Sequence, residues 1–391
     1  MISHFVKQIE KLKAENRYRE FVDISRLCPD FPHAINHGTG KRIIVWCSND
    51  YLGMGQNSAA ISAAKNALDL FGVGAGGTRN ISGNNHAVVE LEKEVAAFHN
   101  REMALSFTSG YVANDATIQA LAQIIPNLVI FSDEKNHASI IAGIRNSRLQ
   151  KHIFLHNNMK DLRQKLSIYE KSQPKIIIFE SVYSMDGDFG KVAEIIALAK
   201  EFGAMTYIDE VHSVGLYGKA GAGLCQQFGL EKDVDILQGT FAKAFGVIGG
   251  YIAGRREIID AVRLSAAGFI FSTALPPAIA AAILANLSHL KNSDVERKKM
   301  HENVALVKKL LRQNSIYFLP NESHIISIVI GDAAKAKAAS KRLLDEFGIY
   351  VQHINYPTVA KGDERLRITV TPLHSQKMIE ELVTSLTQIL S

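Results

Sequence analysis

Nowhere along the chain does an uninterrupted apolar run approach the roughly 18 residues that a membrane-crossing helix needs. A transmembrane role is therefore not expected. Cysteine is scarce: Cys28, Cys47 and Cys225 stand far apart, without the paired spacing of a zinc cluster or the density of a disulfide framework. No metal is expected, and a reducing cytoplasm is the expected compartment. Blocks of like charge are missing too. The 44 Lys and Arg and 39 Asp and Glu are spread along the chain, for a formal net charge of +5. Nucleic-acid binders concentrate their basic residues in a patch or stripe, so that class is not expected either, whereas a mild positive excess suits a small anionic substrate. The opening segment, Met1 to Phe21, carries Glu10, Glu15 and Glu20 among its lysines and has no long apolar core. Neither a signal peptide nor a transit peptide is expected there.

What is present is an ordinary globular composition, 47% hydrophobic and 21% charged over 391 residues, enough for a large and a smaller domain. Residues 1–24 have apolar positions at helical spacing, and 43–46 read as a strand. An alanine-rich helix is expected over 58–70. Gly72, Gly74 and Gly77 after it satisfy G-x-G-x-x-G, but the dinucleotide fingerprint needs a strand before the glycines and a helix after them. Here the helix comes first, so the glycines are read as a tight loop presenting Thr78, Arg79 and Asn80. From 103 to 209 short apolar runs at 103–107, 128–131, 175–179 and 205–208 alternate with helical stretches, the pattern of a mainly parallel sheet covered by helices. From about 276 onward, helices at 276–290, 295–313, 334–346 and 375–389 surround short strands at 324–330, 350–353 and 366–370. The expected organisation is an N-terminal helical segment over 1–45, a large α/β domain over 46–285 and a small C-terminal α+β domain over 286–391.

In a parallel sheet ligands sit beyond the carboxyl ends of the strands, and here those ends are polar. Run 103–107 leads into Ser109-Gly110-Tyr111 at the start of a helix, where open N–H groups suit a phosphate. Run 128–131 leads to Ser132-Asp133 and His137, run 175–179 to Glu180 through Gly187, and run 205–208 to Asp209 and His212. The run 234–237 leads to Thr240, and Lys243 follows among small and aromatic residues. A lysine there either lays its stem over an apolar surface or is a partly desolvated amine able to act as nucleophile and base. Pyridoxal phosphate requires an amine, a phosphate cup, a carboxylate for its pyridine nitrogen and a group against its ring face, and this rim offers each. Arg365 and Arg367 alternate about Leu366 on one strand face, where either a carboxylate fork or a salt bridge is possible.

The motifs Arg17-Tyr18-Arg19, Val45 to Gly55, Gly76 to Gly83, Glu180 to Asp188, Tyr207 to His212, Gly239 to Gly250, Phe269 to Thr273 and Tyr356 to Arg367 together resemble the fold-type I pyridoxal phosphate enzymes. Within them the chain is similar to the α-oxoamine synthases, which join an amino acid to an acyl-CoA with loss of carbon dioxide. The resemblance implies that the large domain over 46–285 binds pyridoxal phosphate on a mainly parallel seven-stranded sheet, with a smaller C-terminal α+β domain beside it. It implies catalysis by Lys243, as Schiff-base lysine and proton-abstracting base, with Asp209 at the pyridine nitrogen and His137 stacked on the ring. His212 would bond the phenolic oxygen, and Ser184 would lie beside the ring. Ser109, Gly110, Tyr111 and Thr240 would surround the phosphate, joined by Ser272 and Thr273 from the other subunit of a homodimer whose sites lie at the interface. The implied substrates are glycine and succinyl-CoA. Arg367 would hold the glycine carboxylate; Arg19, Thr78 and Asn80 would serve the succinyl group; Ser132, Lys151 and Thr358 would serve coenzyme A; and Asn49 would also contact substrate. A sister synthase with another amino acid or acyl-CoA would differ at Thr78, Asn80 and Arg19. Departures from the family pattern fall at Ala75, Asn84 and Val359 to Asp363.

Overall fold

The computed structural model describes residues 1–390. Its strands, in chain order, are β1 Ile24–Arg26, β2 His33–Asn36, β3 Lys41–Val45, β4 Met103–Phe107, β5 Val129–Asp133, β6 Lys151–Phe154, β7 Lys175–Glu180, β8 Met205–Asp209, β9 Ile236–Thr240, β10 Gly250–Gly254, β11 Ile325–Val329, β12 Ile349–Tyr350, β13 Gln352–Ile354 and β14 Arg365–Thr369. The first five helices are α1 Ile2–Ala14, α2 Ser58–Phe71, α3 His86–Phe98, α4 Gly110–Ile124 and α5 Ala138–Ser147. The chain gathers into two compact units, one of 54–184 and 189–297, the other of 1–53, 185–188 and Lys298 onward.

The unit of 54–184 and 189–297 is built on a seven-stranded sheet in the order β4-β10-β9-β8-β7-β5-β6. Strands β5 to β9 pair in parallel, while β10 runs antiparallel between β4 and β9. The central strands are buried on both faces, and Ile176, Ile177 and Ile178 are fully so, which is why they read as continuous rather than alternating apolar runs. One core joins Leu105, Ile130, Ile176, Ile178, Tyr207 and Ile252 of the sheet to Ala113, Ile118 and Leu121 of α4 and to Ile140 and Ile144 of α5. Helix α2 starts on an Asn57 side-chain cap and ends at Gly72, whose φ of 73° a glycine adopts without strain. A helix thus precedes the glycine loop, as expected.

Strands β5, β7, β8 and β9 end one to three residues later than their apolar runs. Polar side chains are therefore carried into the last rungs of the ladder: Glu180 stands opposite Asp209, and Asp209 opposite Gln238. Strands β6 and β10 were not expected from the sequence. The edge strand β6 is short and mostly exposed, and β10 has glycine at both ends, which masks its β character.

The second unit holds a four-stranded sheet, β1-β2-β3-β12, and a three-stranded sheet, β11-β14-β13. The helix expected over 1–24 stops at Ala14, because Asn16 takes a left-handed φ of 52° and breaks the run. Arg17, Tyr18 and Arg19 consequently leave the helix and lie in the segment after it. Helix α1 buries none of its residues, and Ile2, Phe5, Val6 and Ile9 face outward. Among the described residues no helix is long and apolar enough to cross a membrane.

Candidate active site

The carboxyl edge of the seven-stranded sheet gathers most of the polar residues named from the sequence. Ser109 caps α4 by accepting the Val112 N–H at 3.1 Å, leaving the Gly110 and Tyr111 N–H groups at the open first turn with the positive end of the helix dipole. Gly250 makes room for this turn: a Cβ there would come within 2.5 Å of the Gly110 nitrogen. Thr240 ends β9 beside it, its hydroxyl donating to the Gly249 carbonyl at 2.7 Å and accepting the Ala242 N–H at 3.2 Å. Lys243 sits half-buried in the turn after β9, and its positive charge acts on Asp209, Glu180 and His137.

Asp209 is buried at the end of β8. Its carboxylate accepts from Asn114 Nδ2 at 2.9 Å and from the Val211 N–H at 2.9 Å. Burial pushes its pKa up, against those two hydrogen bonds and the charges of His137 and Lys243. Glu180, its neighbour on β7, is pushed up much further, first by burial and then by the Asp209 charge; the His137 N–H bonded to its Oε1 opposes this only in part. Of the two facing carboxyls Glu180 therefore keeps the proton and Asp209, with its set of donors, the charge.

His137 caps α5, its Nδ1 accepting the Ser139 N–H at 3.2 Å and lying 2.7 Å from Ser139 Oγ. Its ring opens outward, yet its surroundings are dense enough that desolvation holds the imidazole below its usual range, with Lys243 adding to the effect and Asp209 opposing it. His212 is buried three residues beyond Asp209, and Ser184 lies half-buried in the turn after Glu180.

These residues suit pyridoxal phosphate by their own chemistry. Open N–H groups at a helix start match a phosphate, a buried carboxylate destabilised by its burial matches a protonated pyridine nitrogen, and an outward imidazole offers a ring face. Among the described residues no group of three or more His, Cys, Asp or Glu is placed to hold a metal ion.

Other named residues form separate clusters. Within the second unit, Arg367 donates to Tyr51 Oη at 3.2 Å, and Tyr51 donates to Asn49 Oδ1 at 3.2 Å. Arg365, its neighbour on β14, is taken by Asp186 at 2.6 Å, so the two arginines have different partners: Arg365 is tied to that carboxylate, while Arg367 meets the Tyr51 hydroxyl. Arg19 donates to Thr358 Oγ1 at 3.2 Å, while Arg17 lies over the Tyr356 ring at 4.7 Å. In the large unit, Thr78 bridges to Thr273 on a face that exposes Asn80, Ile81 and Phe271, with Ser272 half-exposed. Arg79, between Thr78 and Asn80, turns inward to pair with both Glu92 oxygens at 2.7 and 2.9 Å. Ser132 is buried, accepting from Asn136 Nδ2 at 2.8 Å and donating to the Asp133 carbonyl at 3.2 Å. Lys151 is exposed at the start of β6, paired with Ile130 rather than with the polar end of β5.

Sequence reasoning missed Tyr51, Asn114, Ser139 and Tyr207 as parts of these clusters. Tyr51 could have been found, since it lies in the polar turn that includes Asn49. Asn114 gives little local signal: it is one polar residue inside an alanine-rich helix.

A sheet rim with an open helix start, a buried aspartate and a lysine turn defines the fold-type I pyridoxal phosphate enzymes. The family described as aminotransferase class I and II matches residues 41–386. Serine palmitoyltransferase from S. paucimobilis, solved with pyridoxal phosphate and myriocin, superposes with a TM-score of 0.91 at 28% identity, covering 99% of this chain and 96% of that one. The 5-aminolevulinate synthase of Rickettsia bellii is 52% identical over 385 residues, 98% of this chain and 92% of that protein. That of Rhizobium meliloti is 52% identical over 386 residues, 98% of this chain and 96% of that protein. The chain belongs to the 5-aminolevulinate synthase family, a pyridoxal-phosphate-dependent branch of the class I and II aminotransferases.

Proposed function

We infer that this chain condenses glycine with succinyl-CoA, releasing coenzyme A and carbon dioxide, to give 5-aminolevulinate for heme and other tetrapyrroles. The observation that carries this reading is the 52% identity over 98% of the chain to proteins named for that product. Pyridoxal phosphate, when bound, supplies an electron sink for negative charge at the glycine α-carbon.

On this reading Lys243 carries the cofactor on its amine and then moves the glycine α-proton. Asp209 keeps the pyridine nitrogen protonated, His137 covers one ring face, and His212 and Ser184 contact the ring from its edge. The N–H groups of Gly110 and Tyr111, with Ser109 and Thr240, hold the phosphate. Arg367, braced by Tyr51 and Asn49, takes the glycine carboxylate as a fixed fork. Arg19, Thr78 and Asn80 are assigned to the succinyl group, and Thr358, Ser132 and Lys151 to coenzyme A. The support for Thr358 is its bond to Arg19, while Ser132 would need its buried hydroxyl released from Asn136.

We assign a homodimer as the working assembly, with Ser272 and Thr273 reaching the partner's phosphate. Support comes from the exposed Ile81 and Phe271 beside them, at 66% and 81%, since monomers rarely leave such large apolar groups together in water. The inferred compartment is the cytoplasm, from the scarcity of cysteine. The test is to supply glycine and succinyl-CoA to the wild type and to Lys243→Ala. The wild type forms 5-aminolevulinate, and the variant loses both product and the lysine-dependent visible band; product at the wild-type rate in the variant overturns the assignment.

A further inference from the structure

We propose that Asn114 is a positioning residue that orients the Asp209 carboxylate and sets the tautomer of His137 through a single buried amide. The proposal rests on the cofactor assignment above and concerns a buried residue bonded to Asp209, Ser139 and Tyr207.

Asn114 lies on the first turns of α4, only 1% exposed, where it meets three groups from two other elements. Its Nδ2 is 2.9 Å from Asp209 Oδ2 on β8 and 3.0 Å from Ser139 Oγ on α5. Its Oδ1 accepts from the Tyr207 hydroxyl at 2.7 Å. Tyr207 and Ser139 are themselves buried, at 0% and 1%, so water cannot substitute for either partner.

The directions of these bonds follow from one fixed point. An ionised carboxylate can only accept, so the amide must turn its NH2 towards Asp209. Its oxygen then faces Tyr207, which donates. The second amide proton goes to Ser139 Oγ, so that oxygen accepts, and the Ser139 hydroxyl proton is free for His137 Nδ1 at 2.7 Å. The same Nδ1 also accepts the Ser139 N–H at 3.2 Å. With two donors aimed at Nδ1, the neutral imidazole carries its proton on Nε2. A carboxylate with one oxygen pinned cannot rotate away from a cation, and an imidazole with a fixed tautomer presents a neutral ring with constant polarity. Both conditions favour a steady pyridinium environment, and a buried network of this kind holds only while every member is satisfied.

The variants are Asn114→Leu, which keeps the side chain's approximate shape, and Tyr207→Phe, which keeps the packing and removes only the hydroxyl. The readouts are pyridoxal phosphate affinity of the stripped protein and the pH midpoint of the visible band in the reloaded protein. Asn114→Leu is expected to weaken affinity about 10- to 100-fold, the range for losing a hydrogen bond to a charged group, and to shift the band midpoint. Tyr207→Phe shifts the midpoint in the same direction by less, and the double variant is no worse than Asn114→Leu, because the hydroxyl acts through the amide. A band midpoint and affinity equal to wild type in Asn114→Leu overturn the proposal, as does a fully additive double variant. Should Asn114→Leu fail to fold, an unshifted midpoint in Tyr207→Phe overturns it alone. A wild type lacking a Lys243-dependent band would instead remove the cofactor assignment, and this proposal with it.

Discussion

Glu180 and Asp209 stand opposite each other on adjacent parallel strands, and only one of them can carry charge at low cost. Burial and the neighbouring carboxylate hold Glu180 well above the usual carboxylate range, so it stays neutral while accepting the His137 N–H. Replacing Glu180 with Gln preserves both the neutrality and the acceptor. The expected outcome is activity within about 3-fold of wild type, since an isosteric neutral swap leaves the hydrogen bond in place. Asp209→Asn removes the charge itself and should lower kcat by about 100-fold or more, the scale of losing one preorganised electrostatic contact. Steady-state kinetics of the two variants check this, and a large loss in Glu180→Gln with little in Asp209→Asn would show that Glu180 is the charged partner.

The Arg19 to Thr358 hydrogen bond supports a division of labour between substrates. Arg19→Ala should raise the KM for succinyl-CoA by about 10-fold, as expected when a charged hydrogen-bond donor is lost from a ligand. The KM for glycine should stay unchanged. Thr358→Val should act in the same direction and more weakly, and the pair should not add. Initial rates with each substrate varied in turn decide the matter; a rise confined to glycine would take Arg19 away from the acyl side.

The strong features of this fold were legible because they are local. Five strands of the large sheet, β4, β5, β7, β8 and β9, announce themselves as short apolar runs, and the polar residues that follow each run could be read as a sheet rim. Lys243 stood out as a lysine among small and aromatic neighbours. The features that were not legible depend on distant partners. Asn114 matters because Tyr207 and Asp209 lie beside it, a juxtaposition created by the packing of α4 on the sheet. Arg365 and Arg367 look alike in sequence, and only their partners from far along the chain, Asp186 for the first and Tyr51 for the second, tell them apart. Helix α1 ran too long in the reading because one asparagine with a positive φ ended it.

The surface around Thr78 and Thr273 gives a test of assembly. Phe271 is 81% exposed beside the exposed Ile81, and a homodimer would bury both. Phe271→Asp places a charge where an apolar contact is expected, at a cost of several kcal/mol to association if the site is desolvated. Sedimentation velocity should show a dimer for wild type and a shift towards monomer for the variant. Activity should fall with it, because Ser272 and Thr273 would no longer reach the partner. A wild-type monomer with full activity would contradict the shared-site assignment.

His374 provides a pH-dependent test of the second unit. Its ring stacks on Trp46 with centroids 3.7 Å apart, its Nδ1 accepts the Thr371 N–H at 2.9 Å, and its Nε2 lies 3.2 Å from the Val45 carbonyl. Burial opposes the charge more than the backbone hydrogen bonds to Val45 and Thr371 favour it, and His33 adds to the effect, so the pKa is pushed down from 6.5 to about 3. The unfolded chain therefore binds more protons than the folded one between those values. Stability is complete above about pH 6.5 and falls as the pH drops towards 3, by about 1.4 kcal/mol per pH unit for this one group. His99, also held at about 3 by burial, contributes a second share of the same sign. His374→Phe removes only the first share: it should be less stable than wild type near neutral pH, having lost the ring's hydrogen bonds to Thr371 and Val45, yet lose less on acidification. Urea midpoints at about pH 7.5 and about pH 5.5 measure both effects, since the midpoint tracks stability at constant m. An unchanged acid slope in the variant would mean that His374 titrates normally in the folded state.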